Sequence, residues 1–311
     1  MGDPQAEFTH IPALYQEVLA ALQPRDGGRY VDGTLGLGGH AAGILTASAP
    51  SGQLLGLDVD AQALTRATER LATFAGRAHL RHSSYTELPE RLSELGWDEV
   101  DGILLDLGGS SLQFDNAERG FSFQQQGPLD MRFNPQAALT AADVINDWDE
   151  AELADVLFHY AEERQARKLA RAIVKARPLH NTTQLAELIA AVLGGKRGGV
   201  HPATRSFQAL RIVVNGELQA IEHSLPQALA ALRAGGRLAV ISFHSLEDRL
   251  VKQFIRQESR DCICPPGQPS CTCGHQASLK EISRKPIRPS DAEVTSNPRA
   301  RSARLRVAEK L

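Results

Sequence analysis

Arg29-Tyr-Val-Asp-Gly-Thr-Leu-Gly-Leu-Gly-Gly-His40 is the stretch from which the fold can be read. A short apolar strand, Arg29 to Asp32, runs into a loop that carries Gly33, Gly36, Gly38 and Gly39, and a helix begins near His40. Glycines at this density permit positive φ and remove every Cβ from the turn. Bare backbone N–H groups at a helix N-terminus can then face a ligand, which is how a strand-loop-helix unit holds a nucleotide-like molecule.

Two ligand classes fit the unit. Gly36-x-Gly38-x-x-Ala41, with Asp58 downstream, satisfies the looser dinucleotide fingerprint and points to an oxidoreductase. An S-adenosylmethionine (AdoMet) site uses similar parts, with an acid at or before the glycine loop, here Asp32.

Outward from this unit the chain alternates. Gln53–Asp58, Ala78–His82 and Val100–Asp106 read as further strands, and His40–Ala49, Ala61–Phe74 and Glu87–Leu95 as helices. His10–Leu22 precedes them as a helix. Alternation of this kind predicts a doubly wound α/β sheet with ligands beyond the carboxyl ends of its strands. Gly38, Asp58, Tyr85 and Asp106 all fall at such ends. From about 113 to 200 the alternation gives way to helices over Ala137–Asp147, Asp149–Tyr160, Glu163–Arg177 and Thr183–Leu193, an inserted all-helical subdomain. After Thr204–Val214 and Glu217–Leu232, strand Gly236–Ser242 resumes the sheet, helix Ser245–Gln257 follows, and Ile282–Ile287 and Ala303–Val307 read as late or edge strands. The expected domains are therefore 1–112 with 201–311, and 113–200.

The chain has 311 residues, 42% hydrophobic and 23% charged, and no run of about eighteen apolar residues. Its N-terminus lacks the pattern of a secretory signal. The expectation is a cytoplasmic protein with no membrane partner. A net charge of −3 hides an uneven distribution: residues 164–211 carry +9 and residues 280–311 carry +5, leaving −17 for the rest. An acidic body with two basic segments suits a polyanion met at defined places. Within Arg164–Val174, Ala166, Leu169, Ala170 and Ile173 share one helix face, while Arg164, Arg167, Lys168 and Arg171 share the other. With Lys196 and Arg197 in the following glycine-rich loop, these are the candidate phosphate-contacting residues.

Asp101-Gly-Ile-Leu-Leu-Asp-Leu-Gly-Gly-Ser-Ser-Leu-Gln113 resembles the fourth motif of the bacterial small-subunit ribosomal RNA cytosine-N4 methyltransferases, the MraW or RsmH family. So do Asp32–His40, Glu118-Arg-Gly-Phe-Ser-Phe123, Gly127-Pro-Leu-Asp-Met-Arg132, Ser206–Asn215, Ile241–Arg249 and Asn297–Ala303, almost end to end. The resemblance implies a class I methyltransferase sheet, AdoMet as methyl donor, and a cytosine in the decoding region of 16S rRNA as the N4-methylation target. It places AdoMet contacts on Gly38, Gly39, His40, Asp58, Tyr85, Asp106 and Gln113. A non-catalytic ribosome-assembly factor on the same fold is a third reading. The oligomeric state stays open, a homodimer included.

The exocyclic N4 of cytosine is a poor nucleophile because its lone pair is delocalised into the ring. Such an amine needs acceptors for its N–H groups and an in-line approach to the methyl donor. Many amino methyltransferases use an acidic or amide residue followed by Pro-Pro-aromatic; here Asp106-Leu-Gly-Gly-Ser110-Ser111 keeps only the acidic start. Asp106 and Ser110 are the candidate catalytic acceptors, with Phe243 or His244 as a stacking wall. No Pro-Cys dipeptide is present to support a covalent C5 mechanism.

All four cysteines lie in Cys262-x-Cys264-(x6)-Cys271-x-Cys273, with His275 nearby. Their clustering favours a metal over disulfides. A zinc knuckle, however, usually has at least two residues between paired cysteines, so a reduced Pro/Gly-rich loop without metal is the expectation and zinc the alternative.

Overall fold

The computed structural model describes residues 12–194, 201–268 and 270–311. The chain divides into two compact units, one formed by the residues up to Gly108 with Leu218–Leu311, the other by Gly109–Glu217.

The first unit is built on seven strands: β1 (Arg29–Asp32), β2 (Gln53–Asp58), β3 (Ala78–His82), β4 (Val100–Asp106), β5 (Leu232–Ser242), β6 (Leu279–Glu281) and β7 (Arg304–Lys310). Their order is β3-β2-β1-β4-β5-β7-β6, with β7 antiparallel to both neighbours. This is the class I methyltransferase sheet. The antiparallel β7 inserted beside β5 distinguishes it from the all-parallel 3-2-1-4-5-6 sheet of dinucleotide enzymes. The order reverses at β1 and β4, whose registers pair Asp32 with Leu104. A doubly wound sheet binds its ligand at that crevice.

Side-chain alternation explains why these runs are strands. Val31, Leu55, Leu57, Ile103, Leu105, Leu238 and Val240 face one apolar layer, closed by α4 (Leu88–Glu94), α11 (Glu217–Ala231) and α12 (Ser245–Glu258). Tyr30, Leu54, Leu104, Ala239 and Ile241 face the other, closed by α1 (Tyr15–Leu22), α2 (Gly39–Ala47) and α3 (Ala61–Arg70). Period-two alternation with both faces apolar is what a helix-covered parallel sheet requires.

Two late elements differ from expectation. The sixth strand is only Leu279–Glu281, and Ile287 makes a single bridge to Leu305 rather than continuing a strand from Ile282. Pro286 interrupts the ladder by removing a donor. The first helix begins at Tyr15, after Leu14 adopts a left-handed conformation at φ 55° and donates its N–H to Glu293 Oε1 at 2.7 Å. His10, where that helix was expected to start, lies outside the described residues.

The second unit holds α5 (Ser111–Asp115), α6 (Ala141–Asp147), α7 (Glu150–His159), α8 (Ala166–Ala176), α9 (Thr182–Leu193) and α10 (Ala203–Asn215) around one apolar core. Leu169 and Ile173 of α8 are buried in it with Phe207 and Leu210 of α10. Capping boxes start α6 and α7, with Thr140–Asp143 and Asp149–Glu152 as their members.

Candidate functional site

Three acids stand at the carboxyl ends of β1, β2 and β4. Asp32 ends β1 and is buried; Asp58 and Asp106 each lie two residues beyond the partners of Asp32 on the adjacent strands. Backbone donors hold them in place. Asp32 Oδ1 accepts from Thr34 N–H at 3.2 Å. Asp58 Oδ2 accepts from Gly36 N–H at 2.7 Å and its Oδ1 from Asp60 N–H at 2.8 Å. Asp106 donates its own N–H to Thr34 Oγ1 at 2.6 Å, which ties the end of β4 to the glycine loop.

Their electrostatics is unusual for surface carboxylates. Burial pushes Asp32 up to about 7, with repulsion from Asp58 adding to it. Burial likewise raises Asp58 to about 6. Asp106 is driven well above the carboxylate range by burial, then by the charges of Asp32 and Glu247. No lysine or arginine among the described residues pairs with any of the three. Uncompensated, half-desolvated acids at a strand-end crevice are matched to a cationic ligand.

The glycine loop supplies the matching backbone. Gly36 and Gly38 have φ of +52° and +74°, a region that disfavours side chains. A Cβ on Gly36 would meet only Thr34 O, at 3.9 Å, so this part of the loop faces open space. Gly38 serves as N-cap of α2, and Gly39 opens that helix.

His40 follows, buried and stacked on Tyr15 with ring centroids 6.1 Å apart. Burial, with a contribution from Arg70, pulls its imidazole down to about 3, so it is neutral. Its Nε2 stands 3.7 Å from Asp106 Oδ2. Asp106 Oδ1 has no hydrogen-bond partner among the described residues. Tyr85 begins a 3₁₀ turn after β3, and a Cβ on Gly33 would come within 3.0 Å of its Cβ. Thus Gly38, Gly39, His40, Asp58, Tyr85 and Asp106 all sit around the strand ends of the first unit.

Sequence reasoning missed Glu247 and Thr34 here. Glu247 is fully buried; its Oε2 accepts the N–H groups of Phe243 at 2.8 Å and His244 at 3.2 Å. His244 is the N-cap of α12 and Glu247 its N3 residue. The signal was present as a capping-box spacing, with His in place of Ser or Thr. Because Asp106 pairs with Ile241 across β4 and β5, Phe243 and His244 emerge beside Asp106.

Ser110 and Gln113 belong to the second unit. Gln113 is buried, and its Oε1 accepts Ser110 N–H at 2.9 Å to close the capping box of α5. In the same unit Arg164, Arg167 and Lys168 line a cleft of about 540 Å³ together with Phe158 and His159 of α7. Phe158 is 56% exposed, an uncommon position for a phenyl ring. Arg164 lies one turn before α8 rather than in it.

The cationic face is less uniform than its sequence suggests. Arg171 pairs with Glu150 at 3.3 Å, and Lys168 donates to Val192 O at the end of α9 at 3.0 Å. Arg164 and Arg167 have no such partner among the described residues. The positive tail also turns inward: Arg304 and Arg306 both pair with Asp248, and Arg306 is buried. Lys196 and Arg197 lie outside the described residues.

The family profile described as the MraW methylase family matches residues 7–311. A protein of Thermomicrobium roseum named ribosomal RNA small subunit methyltransferase H is 52% identical, over 97% of this chain and 94% of its own length. Proteins of the same name from Heliobacterium mobile and Dehalococcoides mccartyi are each 51% identical over 98% of this chain, covering 100% and 87% of their own lengths. Among the described residues no helix is long and apolar enough to cross a membrane.

Proposed function

The chain belongs to the MraW methylase family, and from that premise we propose that it methylates small-subunit ribosomal RNA at the exocyclic N4 of a cytosine. The observation that carries the reading is the set of raised, uncompensated acids Asp32, Asp58 and Asp106 beside the open glycine loop. AdoMet is the cofactor, and when bound it supplies a methyl group on a positively charged sulfur.

Asp58 is the ribose acceptor. The Gly36 and Asp60 N–H groups fix both of its oxygens, and each oxygen keeps a lone pair for a hydroxyl. Gly38 and Gly39 bring backbone against the methionine part, and Tyr85 walls the adenine. Asp32 neutralises positive charge from beneath the loop.

Asp106 is the group that holds the target amine. Its free Oδ1 accepts an N4–H, which turns the nitrogen lone pair toward the methyl group. After transfer the nitrogen must lose one proton, and a carboxylate whose pKa burial has raised is a suitable acceptor. Neutral His40, 3.7 Å away, keeps that carboxylate from being quenched by a fixed cation. The cysteines play no part: β6, which follows them, pairs Leu279 with Lys310 near the amino end of β5, away from the strand ends. A cytosine so treated must be single-stranded or extruded.

Arg164, Arg167 and the exposed Phe158 form the RNA-contacting cleft, cations for phosphates and a ring on which a base can stack. The test is mass spectrometry of 16S rRNA from cells with and without the protein, joined to methyl transfer by purified protein onto small subunits. N4-methylcytidine should appear only with the active protein. Methylation at ring C5, or none on any form of the subunit, would overturn the reading.

A further inference from the structure

Between α12 and β6 the chain runs for about twenty residues without regular structure, a length uncommon in a compact domain. None of the described residues from 259 to 278 is buried, so hydrophobic packing does not order the segment. Yet its four cysteine sulfurs converge. All lie within 4.8 Å of one another, with Cys271 Sγ 3.6 Å from Cys273 Sγ and Cys273 Sγ 3.8 Å from Cys262 Sγ. None is in a disulfide.

These separations discriminate. A disulfide needs about 2.05 Å between sulfurs. Four thiolates about 2.3 Å from a tetrahedral ion lie at the corners of a tetrahedron whose edges are about 3.8 Å. The Cys271–Cys273 and Cys273–Cys262 separations, 3.6 and 3.8 Å, match the second figure.

The backbone explains how single-residue spacing produces this geometry. A turn at Pro265-Pro266-Gly267, with Gly267 at φ +89°, folds the two Cys-x-Cys arms against each other. Gln268 N–H closes it on Pro265 O at 3.3 Å. Each arm then donates to a sulfur of the other: Ile263 N–H to Cys273 Sγ and Thr272 N–H to Cys264 Sγ, both at 3.5 Å. N–H donors aimed at sulfur stabilise thiolates and orient them toward a metal. The two-residue spacing of ordinary knuckles places both ligands of one arm around a tight turn. Here a bend falls at Cys264 and another at Cys273, and each of the two arms brings two cysteines to the cluster.

We propose that Cys262, Cys264, Cys271 and Cys273 bind one Zn²⁺, and that this ion orders the segment joining α12 to β6. Four soft thiolates in tetrahedral array select zinc among the hard and borderline divalent ions of the cell. Binding releases the thiol protons to the buffer and involves no redox change. The anchors on either side are set: His275 Nε2 lies 3.1 Å from Gln257 O, and Ser278 N–H donates to Glu258 O at 2.8 Å. The inference concerns a site remote from the strand ends and stands without the proposed methyl transfer.

The experiment uses the full chain, purified with a reductant and without chelator, then offered zinc chloride. Elemental analysis should give about one zinc per chain, and the double variant Cys262→Ser, Cys264→Ser should hold none. In the loaded protein a disulfide reagent should find the four thiols protected; a strong chelator should release them together. Chelation should also expose the bond after Arg260 to trypsin, while the variant is cut there without chelator. Because the segment is outside every apolar core, the variant should keep the melting temperature of the zinc-free protein. Four thiols that react equally fast with and without zinc would overturn the proposal. So would iron in place of zinc after loading, or cleavage at Arg260 indifferent to the metal.

Discussion

Affinity for AdoMet should fall as the solution is acidified from pH 7 to pH 6. The cause is Asp32 and Asp58, two strand-end acids that a cationic ligand requires in ionised form. With Asp32 at about 7, its ionised fraction drops from about one-half to about one-tenth over this interval. Asp58, at about 6, drops from about nine-tenths to one-half. If both must be charged, the dissociation constant rises about tenfold, or about 1.4 kcal/mol. The sign is fixed by linkage: free protein carries the protons, binding expels them, and higher pH favours the complex. Stability of the free protein obeys the same rule. Carboxylates raised above their unfolded value make the native state bind more protons, so stability declines as pH rises from about 4 to 7. Titration calorimetry in two buffers of different ionisation enthalpy measures both the affinity and the protons released. Asp32→Asn removes the larger share of the effect and should leave about a twofold change from Asp58. A wild-type affinity constant within twofold from pH 6 to 7 would refute the assignment of these acids to a cation site.

Asp58→Ala should weaken AdoMet binding by about 1.5–3 kcal/mol, through loss of charge-assisted acceptors, and leave RNA affinity unchanged in a filter-binding assay. Asp106→Asn should lower single-turnover methyl transfer by a larger factor than it lowers AdoMet affinity; equal factors would make Asp106 a cofactor ligand only. The triple change Arg164→Ala, Arg167→Ala, Arg171→Ala should weaken binding to RNA and flatten its log affinity against log salt by somewhat under one unit per lost contact. Arg171, already paired with Glu150, should contribute least when replaced singly. Arg211→Ala strips a bidentate partner from buried Glu217, with both bonds at 2.8 Å, and should cost about 3–5 kcal/mol in urea unfolding.

The sheet was legible because its strands carry local punctuation. Arg29–Asp32, Gln53–Asp58, Ala78–His82 and Val100–Asp106 were readable to the residue, each closed by an acid or a histidine at its carboxyl end. The late strands were not, because β6 owes its existence to β7 rather than to its own three residues. Motif reading also could not separate chemistry from scaffolding. In Gly127-Pro-Leu-Asp-Met-Arg132, Arg132 forks onto Asp130, and buried Met131 is held at φ +61° by its N–H bond to Arg119 O. Asn215, ending another matched motif, donates to Met131 O and accepts from Phe133 N–H. These motifs interlock one loop of the helical unit.

Charge was misleading for a related reason. A count of arginines cannot tell one that faces solvent from one whose bonds are already made. Arg177 donates to Ile145 O and Trp148 O, Arg211 pairs with Glu217, and Arg304 and Arg306 share Asp248. Arg177, Arg304 and Arg306 are bonded to partners distant in sequence, and Arg211 to Glu217 just beyond the end of its own helix, so a count of charges does not reveal these bonds. Among the described residues, the cations around α8 that stay without a partner include Arg164 and Arg167, next to an exposed phenyl ring, and Lys175 in the last turn of the helix. Within the described part of the +9 segment, Arg171, Arg177 and Arg211 already have partners. The opposite holds at the strand ends. There the acids looked ordinary in sequence, and only burial shows that their charge has no partner within the protein. Charge without a partner inside the protein is the property that marks both sites. It depends on contacts between residues far apart in the chain.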